Sequence, residues 1–169
     1  MSISSTNGIS KGPNNSSENK VCGGNSGSSH GVIYVIGIGP GYKEEMTPRA
    51  VDALEQSDII VGYNTYIALI KDLIGDKEVV GNGMRQEVDR CQKAVDLAVE
   101  GNKVAVVSSG DPGVYGMAGL VLELIQKVDA QKRPECIVIP GLTAANTSAA
   151  ALGAPLMHDY AVISLSDLM

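Results

Sequence analysis

From Val32 onward the sequence alternates short, almost wholly apolar runs with segments of helical periodicity, and this alternation restricts the fold more than any other feature. Five of the runs fit strands: VIYVIGIG, DIIVG, KEVVG, KVAVVSSG and CIVIPG. Apolar strands separated by helices are typical of a parallel sheet that helices cover on both faces. We therefore predict an α/β fold, a doubly wound and mostly parallel five-stranded sheet. One more strand is expected to begin in YAVISLSDLM, where the sequence ends.

The segments between the apolar runs carry helix signals. The segment TPRAVDALEQS has Thr47 at the N-cap position and Pro48 at the first helical position. One helix each is predicted for NTYIALIKDLI, VYGMAGLVLELIQKV and TAANTSAAALG. A further helix, RQEVDRCQKAVDLAVEG, is expected to end at Gly101. Its predicted apolar face consists of Val88, Cys91, Val95 and Ala98.

The first 31 residues differ from the rest in composition, with nine Ser, six Gly and five Asn. Such a segment cannot bury enough apolar area to offset the conformational entropy lost on ordering, so we predict a disordered arm. The expected division of the chain is an arm over residues 1–31, an α/β domain over residues 32–157 and the start of a second domain over residues 158–169.

Charge and cysteine content narrow the classes of function. The chain has 13 basic and 19 acidic residues, a net charge of −6, which argues against a nucleic-acid partner because phosphate binding needs a basic surface. No apolar run approaches the ~20 residues that span a bilayer, and the N-terminus lacks a secretory signal pattern. Cys22, Cys91 and Cys136 form no CxxC pair, so neither a metal site nor a disulfide is expected. These features favour a cytoplasmic protein without a membrane partner.

Two glycine-rich turns, GIGPG and SSGDPG, follow the first and fourth predicted strands, where ligands bind in doubly wound sheets. The first turn is not a dinucleotide fingerprint, because G-x-G-x-x-G would need Gly where Tyr42 stands. No G-x-x-x-x-G-K-[ST] loop for a nucleoside triphosphate is present either. From the residues alone, GIGPG fits a plain strand-to-helix turn as well as a ligand loop. Asp111 in the second turn fits a helix cap as well as a ligand contact.

Three segments in order carry a family resemblance: GIGPGYKEEMTPRAVDALEQSDIIVG, SSGDPGVYG and PGLTAANTSAAALGAPL. With them the sequence resembles the tetrapyrrole methylases, S-adenosylmethionine-dependent enzymes of the corrin and sirohaem pathways. The segments GYNTYI, GMRQEVDRC, VSSGDPGVYGMAG and HDYAVISLSDL are similar to the branch that methylates C17 of precorrin-3B or cobalt-factor III and contracts the ring. The resemblance implies S-adenosylmethionine as the methyl donor and a tetrapyrrole as the substrate.

The matching motifs imply a set of site residues. Cofactor contacts are expected from Pro40, Ser109, Gly110, Asp111, Val114, Thr143 and Ala144. The GIGPG loop is expected to face the substrate through Gly39 and Gly41. Arg85 is the first candidate for a basic contact to substrate carboxylates, with Lys43 and Arg49 behind it. No catalytic base is carried over, because Tyr63 stands where the sirohaem branch has an Asp; the phenol of Tyr63 or Tyr66 is the remaining candidate.

Members of this family have two α/β domains, with the cofactor in the cleft between them, and are typically homodimers. We therefore expect this chain to be a truncated or split N-terminal half with little activity alone. Two alternatives stay open: a methylase of the same fold that forms diphthine or modifies ribosomal RNA, and a non-catalytic module that binds a tetrapyrrole or a partner chain. The segment VGYNTY, in place of an acidic AEDTR-type segment, and the negative net charge disfavour the RNA methylases.

Overall fold

A computed structural model describes residues 31–83 and 86–163 of the protein. The strands in these residues are β1 (Val32–Gly37), β2 (Ile59–Tyr63), β3 (Glu78–Asn82), β4 (Lys103–Ser108) and β5 (Glu135–Ile139). The helices are α1 (Pro48–Gln56), α2 (Asn64–Leu69), α3 (Lys71–Ile74), α4 (Glu87–Val99), α5 (Ala118–Gln126) and α6 (Ala144–Ala151). A short 3-10 turn, Lys43–Glu45, precedes α1.

The five strands form one parallel sheet in the order β3-β2-β4-β1-β5, which confirms the predicted α/β fold class. Because β1 lies between β4 and β5, the carboxyl ends of these three strands adjoin. The register pairs Gly37 with Ser108 and Ile36 with Ile139. The turns that follow the three strands therefore start at about the same level on one edge of the sheet.

An apolar layer lies on each face of the sheet. Side chains of β1 alternate between the layers, as expected for a strand. Ile33 and Val35 pack with the buried residues of α4 and α5, and Ile36 and Ile38 pack with those of α1 and α3. All four side chains are fully buried. The two layers bury the central strands, and the turns project from the carboxyl edge of these strands.

The predicted signals at the ends of α1 and α4 are confirmed. Thr47 is the N-cap of α1, and its Oγ1 accepts a hydrogen bond of 3.2 Å from the N–H of Ala50. Pro48 occupies the first helical position, where a missing N–H costs nothing. Gly101 follows the C-cap of α4 with φ 102°, a conformation that glycine adopts readily.

The predicted helix NTYIALIKDLI is wrong in one respect, because the structure divides it into α2 and α3. Ile70 separates the two helices with φ −111° and ψ 12°, which are not helical values. Its side chain is fully buried in the layer beneath α1. The break allows this side chain to enter the core, a tertiary gain that the local helical pattern does not contain.

The prediction that Val88 lies on the buried face of α4 is wrong, since 59% of its surface is exposed. The other three predicted residues, Cys91, Val95 and Ala98, are fully buried. The first turn of α4 borders an open cavity and has Arg90, not Val88, as its buried side chain. Helical periodicity identifies the residues that share one face of a helix. It does not show how far along that face the core of the protein extends.

The helix predicted from Val114 begins only at Ala118. Tyr115 has φ 52°, which a right-handed helix does not allow. Gly116 lies so close to the preceding turn that a Cβ on it would be 2.7 Å from the Cα of Pro112. A compact turn thus takes the place of the expected first helical turn.

Coverage by helices is incomplete at the β5 edge of the sheet. Val138 is 38% exposed, and no residue of α6 is buried. Residues 160–163 form neither helix nor strand and are all exposed, so the strand predicted to begin at Tyr160 is absent from the described part of YAVISLSDLM. A strand forms only where a neighbouring strand supplies hydrogen-bond partners. Residues 164–169, like residues 1–30 of the predicted arm, lie outside the described residues.

Candidate functional site

The turns after β1 and β4 hold each other through their backbones. The N–H of Gly39 donates to the carbonyl oxygen of Gly110 at 3.1 Å. In return, the N–H of Gly110 donates to the carbonyl oxygen of Gly39 at 2.8 Å. The φ angles are 58° at Gly39 and 64° at Gly110, in the region where a side chain is strained. Glycine at both positions is therefore a requirement of the turns themselves.

The turn after β5 joins this pair by close backbone contact. A Cβ on Gly37 would lie 2.6 Å from the carbonyl oxygen of Gly110 and 2.7 Å from the nitrogen of Gly141. A Cβ on Gly141 would in turn meet the backbone of Gly37 and Gly110. These glycines lack side chains because three backbones approach one another there. The packing of the turns accounts for them without a ligand.

Asp111 joins two of the turns through its side chain. Its Oδ1 accepts a hydrogen bond of 2.8 Å from the N–H of Gly113, within the same turn. Its Oδ2 accepts one of 3.1 Å from the N–H of Gly141, in the turn after β5. The N-cap residue of α5 is Met117, which makes no side-chain cap. Asp111 is thus not the cap of α5, one of its two possible roles; it connects the turns.

A cavity of about 400 Å³, called the larger cavity below, opens at these turns. The residues predicted to contact the cofactor all line it: Pro40, Ser109, Gly110, Asp111, Val114, Thr143 and Ala144. Gly39, predicted to face the substrate, lines it as well. The adjacency of β4, β1 and β5 brings these residues together from three separate stretches of sequence.

The lining of the larger cavity is part apolar and part polar. Val114 and Leu142 expose 45% and 41% of their surfaces. Thr143 is the N-cap of α6, where its Oγ1 accepts a hydrogen bond of 3.3 Å from the N–H of Asn146. Thr147 donates from Oγ1 to the carbonyl oxygen of Thr143 at 3.1 Å. Such a surface can take a ligand that has an apolar ring at one end and hydrogen-bonding groups at the other.

Tyr115 separates the larger cavity from a second one and lines both. Among non-glycine residues in the described ranges it alone has a positive φ, 52°. Its hydroxyl donates to the carbonyl oxygen of Val162 at 3.3 Å. A strained residue kept at a cavity wall points to a functional constraint. No pattern in the sequence marks a positive φ at a tyrosine.

The second cavity, called the smaller cavity below, has a volume of about 150 Å³ at the carboxyl ends of β2 and β4. Tyr63 and Tyr66, the two candidate acid–base residues, line it with their rings in an edge-to-face arrangement, 5.2 Å between centroids. Ser108 and Arg90 also line it, and both are 3% exposed. The structure thus places the tyrosines beside a buried cation that the sequence analysis did not single out.

Arg90 is held by several groups around the smaller cavity. Its Nη2 donates to the carbonyl oxygen of Gly83 at 2.9 Å, and its Nη1 lies 3.6 Å from the Sδ of Met117. The guanidinium carbon is 6.0 Å from the centroid of the Tyr63 ring, within range of a cation–π interaction. The sequence signal that could have identified Arg90 is its position four residues before the buried Ala94, on the apolar face of α4.

The remaining predicted site residues lie apart from the two cavities or outside the described residues. Gly41 packs against α2, where a Cβ on it would lie 2.8 Å from the Cδ1 of Leu69, and it lines neither cavity. Lys43 and Arg49 are exposed and line neither. Arg85 lies outside the described residues.

Within residues 31–83 and 86–163, no group of three or more His, Cys, Asp or Glu side chains is placed to hold a metal ion. No helix in the same part of the chain combines the length and the apolar character needed to cross a bilayer.

Known proteins are similar to this chain in sequence and in fold. The family model of the tetrapyrrole (corrin/porphyrin) methylases matches residues 32–168. The chain belongs to this family. A probable cobalt-factor III C(17)-methyltransferase of Salmonella typhimurium is 54% identical to this chain over 140 residues. The match covers 82% of this chain and 56% of the relative, so the chain spans little more than half the relative's length.

Solved structures of the family show the same fold. The crystal structure of the methyltransferase CobJ superposes with a TM-score of 0.74 at 40% identity, covering 81% of this chain and 57% of CobJ. Uroporphyrin-III C-methyl transferase from Thermus thermophilus, complexed with S-adenyl homocysteine, superposes with a TM-score of 0.56 at 25% identity. That match covers 76% of this chain and 54% of the Thermus chain.

Proposed function

We propose that this chain supplies the N-terminal half of an S-adenosylmethionine-dependent methyltransferase of cobalamin biosynthesis. The reaction is methylation of C17 of a tetrapyrrole, precorrin-3B or cobalt-factor III, coupled to ring contraction. One observation carries the proposal: residues named from three separate motifs line one cavity. The 54% identity to the Salmonella relative supports the choice of the C17 branch.

The larger cavity fits the chemistry of S-adenosylmethionine. Val114 and Leu142 offer apolar contact for an adenine ring, and Ser109 and Thr143 offer hydroxyl groups for a ribose or an amino acid. Pro40 and Ala144 complete the proposed contacts, from the turns after β1 and β5. The S-adenyl homocysteine in the Thermus structure supports the same ligand class. When bound, S-adenosylmethionine supplies an electrophilic methyl group.

The chain's own residues would position the two reactants. Ser109 and Tyr115 line both cavities, so a side group of the substrate in the smaller cavity would hold the macrocycle beside the cofactor's cavity. Alignment of two bound reactants can lower a barrier by about 7–11 kcal/mol. The phenols of Tyr63 and Tyr66 line the smaller cavity and can hold a proton there. Substrate contacts from Gly39, Gly41 and Arg85 remain part of the proposal.

The division into an arm, a domain of residues 32–157 and the start of a second domain stays as predicted. We propose that the second domain of the longer relatives closes the larger cavity, which Val162 and Tyr160 already border from the segment after α6. We propose that the full-length protein is a homodimer and that it works in the cytoplasm. No nucleic acid is among its proposed partners.

Calorimetric titration of the chain with S-adenosylhomocysteine tests the proposed cofactor site. We expect a dissociation constant in the micromolar range and a loss of at least tenfold in the Val114→Arg variant. Val88→Arg is the matched control, because it adds the same charge at an exposed valine that lines neither cavity. Equal losses in the two variants would contradict the placement of the cofactor. Absence of binding by the folded chain would mean that the second domain is needed to complete the site or that these turns serve another ligand.

A chimera that joins this chain to the remaining half of the Salmonella relative tests the reaction. We expect it to transfer a methyl group from S-adenosylmethionine to cobalt-factor III, with the mass gain of one methyl group in the product. The second candidate function is a non-catalytic binding module, which the coverage of only 56% of the relative keeps open. That candidate predicts tetrapyrrole binding without methyl transfer in the chimera.

A further inference from the structure

Two buried polar side chains, those of Arg90 and Ser108, line the smaller cavity. Arg90 carries a permanent charge and is 3% exposed. The Oγ of Ser108 is buried and has no hydrogen-bond partner among the described residues. A buried hydroxyl without a partner is unusual in folded proteins, and a binding role is one physical reason for keeping it. Both residues line the same cavity, at the ends of α4 and β4 that face the turns.

We propose that the smaller cavity is a binding subsite for a carboxylate arm of the tetrapyrrole, with Arg90 as the anion-binding group and Ser108 as a hydrogen-bond donor. The inference rests on the proposed function for the identity of the substrate. A planar guanidinium matches a carboxylate, and hydrogen bonds between them are short and strong. Rotation of the Ser108 hydroxyl towards such a ligand would break no hydrogen bond to any residue in the ranges 31–83 and 86–163.

The aromatic lining fits the rest of such a ligand. Tyr63, Tyr66 and Tyr115 surround the cavity, and Tyr115 is 67% exposed at its mouth. Aromatic rings offer flat apolar surface to a macrocycle while their hydroxyl groups stay near water. Ser109 and Tyr115 also line the larger cavity, so an arm held by Arg90 would anchor the macrocycle beside the cofactor.

An acidic side chain, that of Glu87, also lines the smaller cavity and affects the binding of an anion there. Glu87, in the first turn of α4, lines the cavity and is exposed, whereas Arg90 is buried. Its carboxylate would repel an incoming carboxylate and would limit the affinity of the subsite. Removal of this charge in Glu87→Gln is therefore expected to tighten the binding of an anionic ligand about twofold to threefold.

The test uses uroporphyrin III, a tetrapyrrole with free carboxylates, and its octamethyl ester as the uncharged counterpart. Both are titrated into the complete chain, and binding is followed by absorbance. We expect the free acid to bind at least tenfold more tightly than the ester. Arg90→Met is expected to remove this preference, and Ser108→Ala to weaken binding of the acid about threefold. Lys93→Met is the matched control, since it removes one exposed positive charge from the same helix.

The variants distinguish a loss of carboxylate binding at the smaller cavity from a loss of cofactor binding and from a failure to fold. Ser108→Ala removes a hydroxyl that has no hydrogen-bond partner among the described residues, so we expect this variant to fold even if the loss of Arg90 prevents folding. The proposal is overturned if the chain binds acid and ester equally, or if Arg90→Met and Ser108→Ala bind the acid as Lys93→Met does. Titration with S-adenosylhomocysteine in the same variants reports on the proposed function alone. Retained binding there, with no acid preference, would reject only the subsite.

Discussion

A hydrogen bond of 3.1 Å from the N–H of Gly141 to the Oδ2 of Asp111 links the turn after β5 to the turn after β4. The other oxygen of the same carboxylate accepts from Gly113 within its own turn, at 2.8 Å. One half-buried side chain thereby sets the spacing of two walls of the larger cavity. The stability of the turns and the shape of the cavity consequently depend on the same contact.

Replacement of Asp111 by Ala is expected to lower the free energy of unfolding by about 2 kcal/mol, because hydrogen bonds to a charged group contribute about 1.5–3 kcal/mol each when not fully exposed. Urea denaturation measures this loss. Asp129→Ala is the control, since its carboxylate accepts a local hydrogen bond of 2.9 Å from the N–H of Gln131. Equal losses in the two variants would show that the link between the turns contributes nothing.

Replacement of Gly141 by Ala is expected to destabilise the protein by about 2–3 kcal/mol, because the added Cβ overlaps the backbone of Gly37 and Gly110. Gly119→Ala provides the opposite case. Gly119 lies in α5, and nothing stands within 4 Å of a Cβ there. This second variant should gain about 0.5–1 kcal/mol from higher helix propensity. Melting temperatures that move in the same direction for both would refute the packing of the turns.

Tyr115→Gly is expected to be more stable than Tyr115→Ala by about 1 kcal/mol. Both variants lack the ring and its hydrogen bond to Val162, so the difference reports the strain of φ 52° in a residue with a Cβ. Thermal unfolding followed by circular dichroism provides the comparison. If Ala proves as stable as Gly, the backbone at this position is not strained.

Burial raises the pKa of the Cys91 thiol to about 11, with the charge of Arg90 opposing the shift and that of Glu87 adding to it. Burial also raises the pKa of Cys136 to about 11. In a Cys22→Ser background at about pH 8, alkylation by iodoacetamide should be roughly 100-fold slower in the folded chain than in urea, because only the thiolate reacts. Mass spectrometry measures both rates. A difference of less than tenfold would show that these thiols are not protected.

The same shift affects stability at high pH. The unfolded thiols ionise near 9 and the folded ones near 11, so the folded state holds more protons between these values. The contribution is present below about pH 9 and is lost as the pH rises towards 11. A Cys91→Ala variant should therefore lose less stability than the parent over this interval in urea denaturation, and an unchanged slope would contradict the burial effect.

The strands, the cap of α1 and the end of α4 could be predicted because each depends on residues close together in sequence. Thr47 caps the helix that begins at the next residue, and an apolar run indicates a strand before its position in the sheet is known. The departures have long-range causes. Ile70 interrupts the predicted helix, and its side chain is buried in the core. Val88 is exposed because the core does not extend as far as this position on α4. Neither cause is present in a short window of sequence.

For the candidate site, motif resemblance pointed to seven residues that the structure brings to one cavity, but their roles could not be read from the motifs. Asp111 had two possible roles in the sequence, and its bond to Gly141 depends on the adjacency of β4, β1 and β5. The burial of Arg90 could not be predicted, because a charged residue in an amphipathic helix is normally solvent-exposed. Its burial depends on contacts with Met117, the N-cap residue of α5, and with the carbonyl oxygen of Gly83, both of which are brought to it by the fold.

By itself, the sequence determined the α/β class, the number of strands in the sheet and the family, because apolar periodicity and contiguous motifs are local properties of the chain. Only the tertiary structure decided the strand order, the interlocking of the glycine turns and the pairing of the larger cavity with the smaller one at Tyr115. Those features depend on contacts between residues far apart in sequence. Such contacts form only when the whole sheet is assembled.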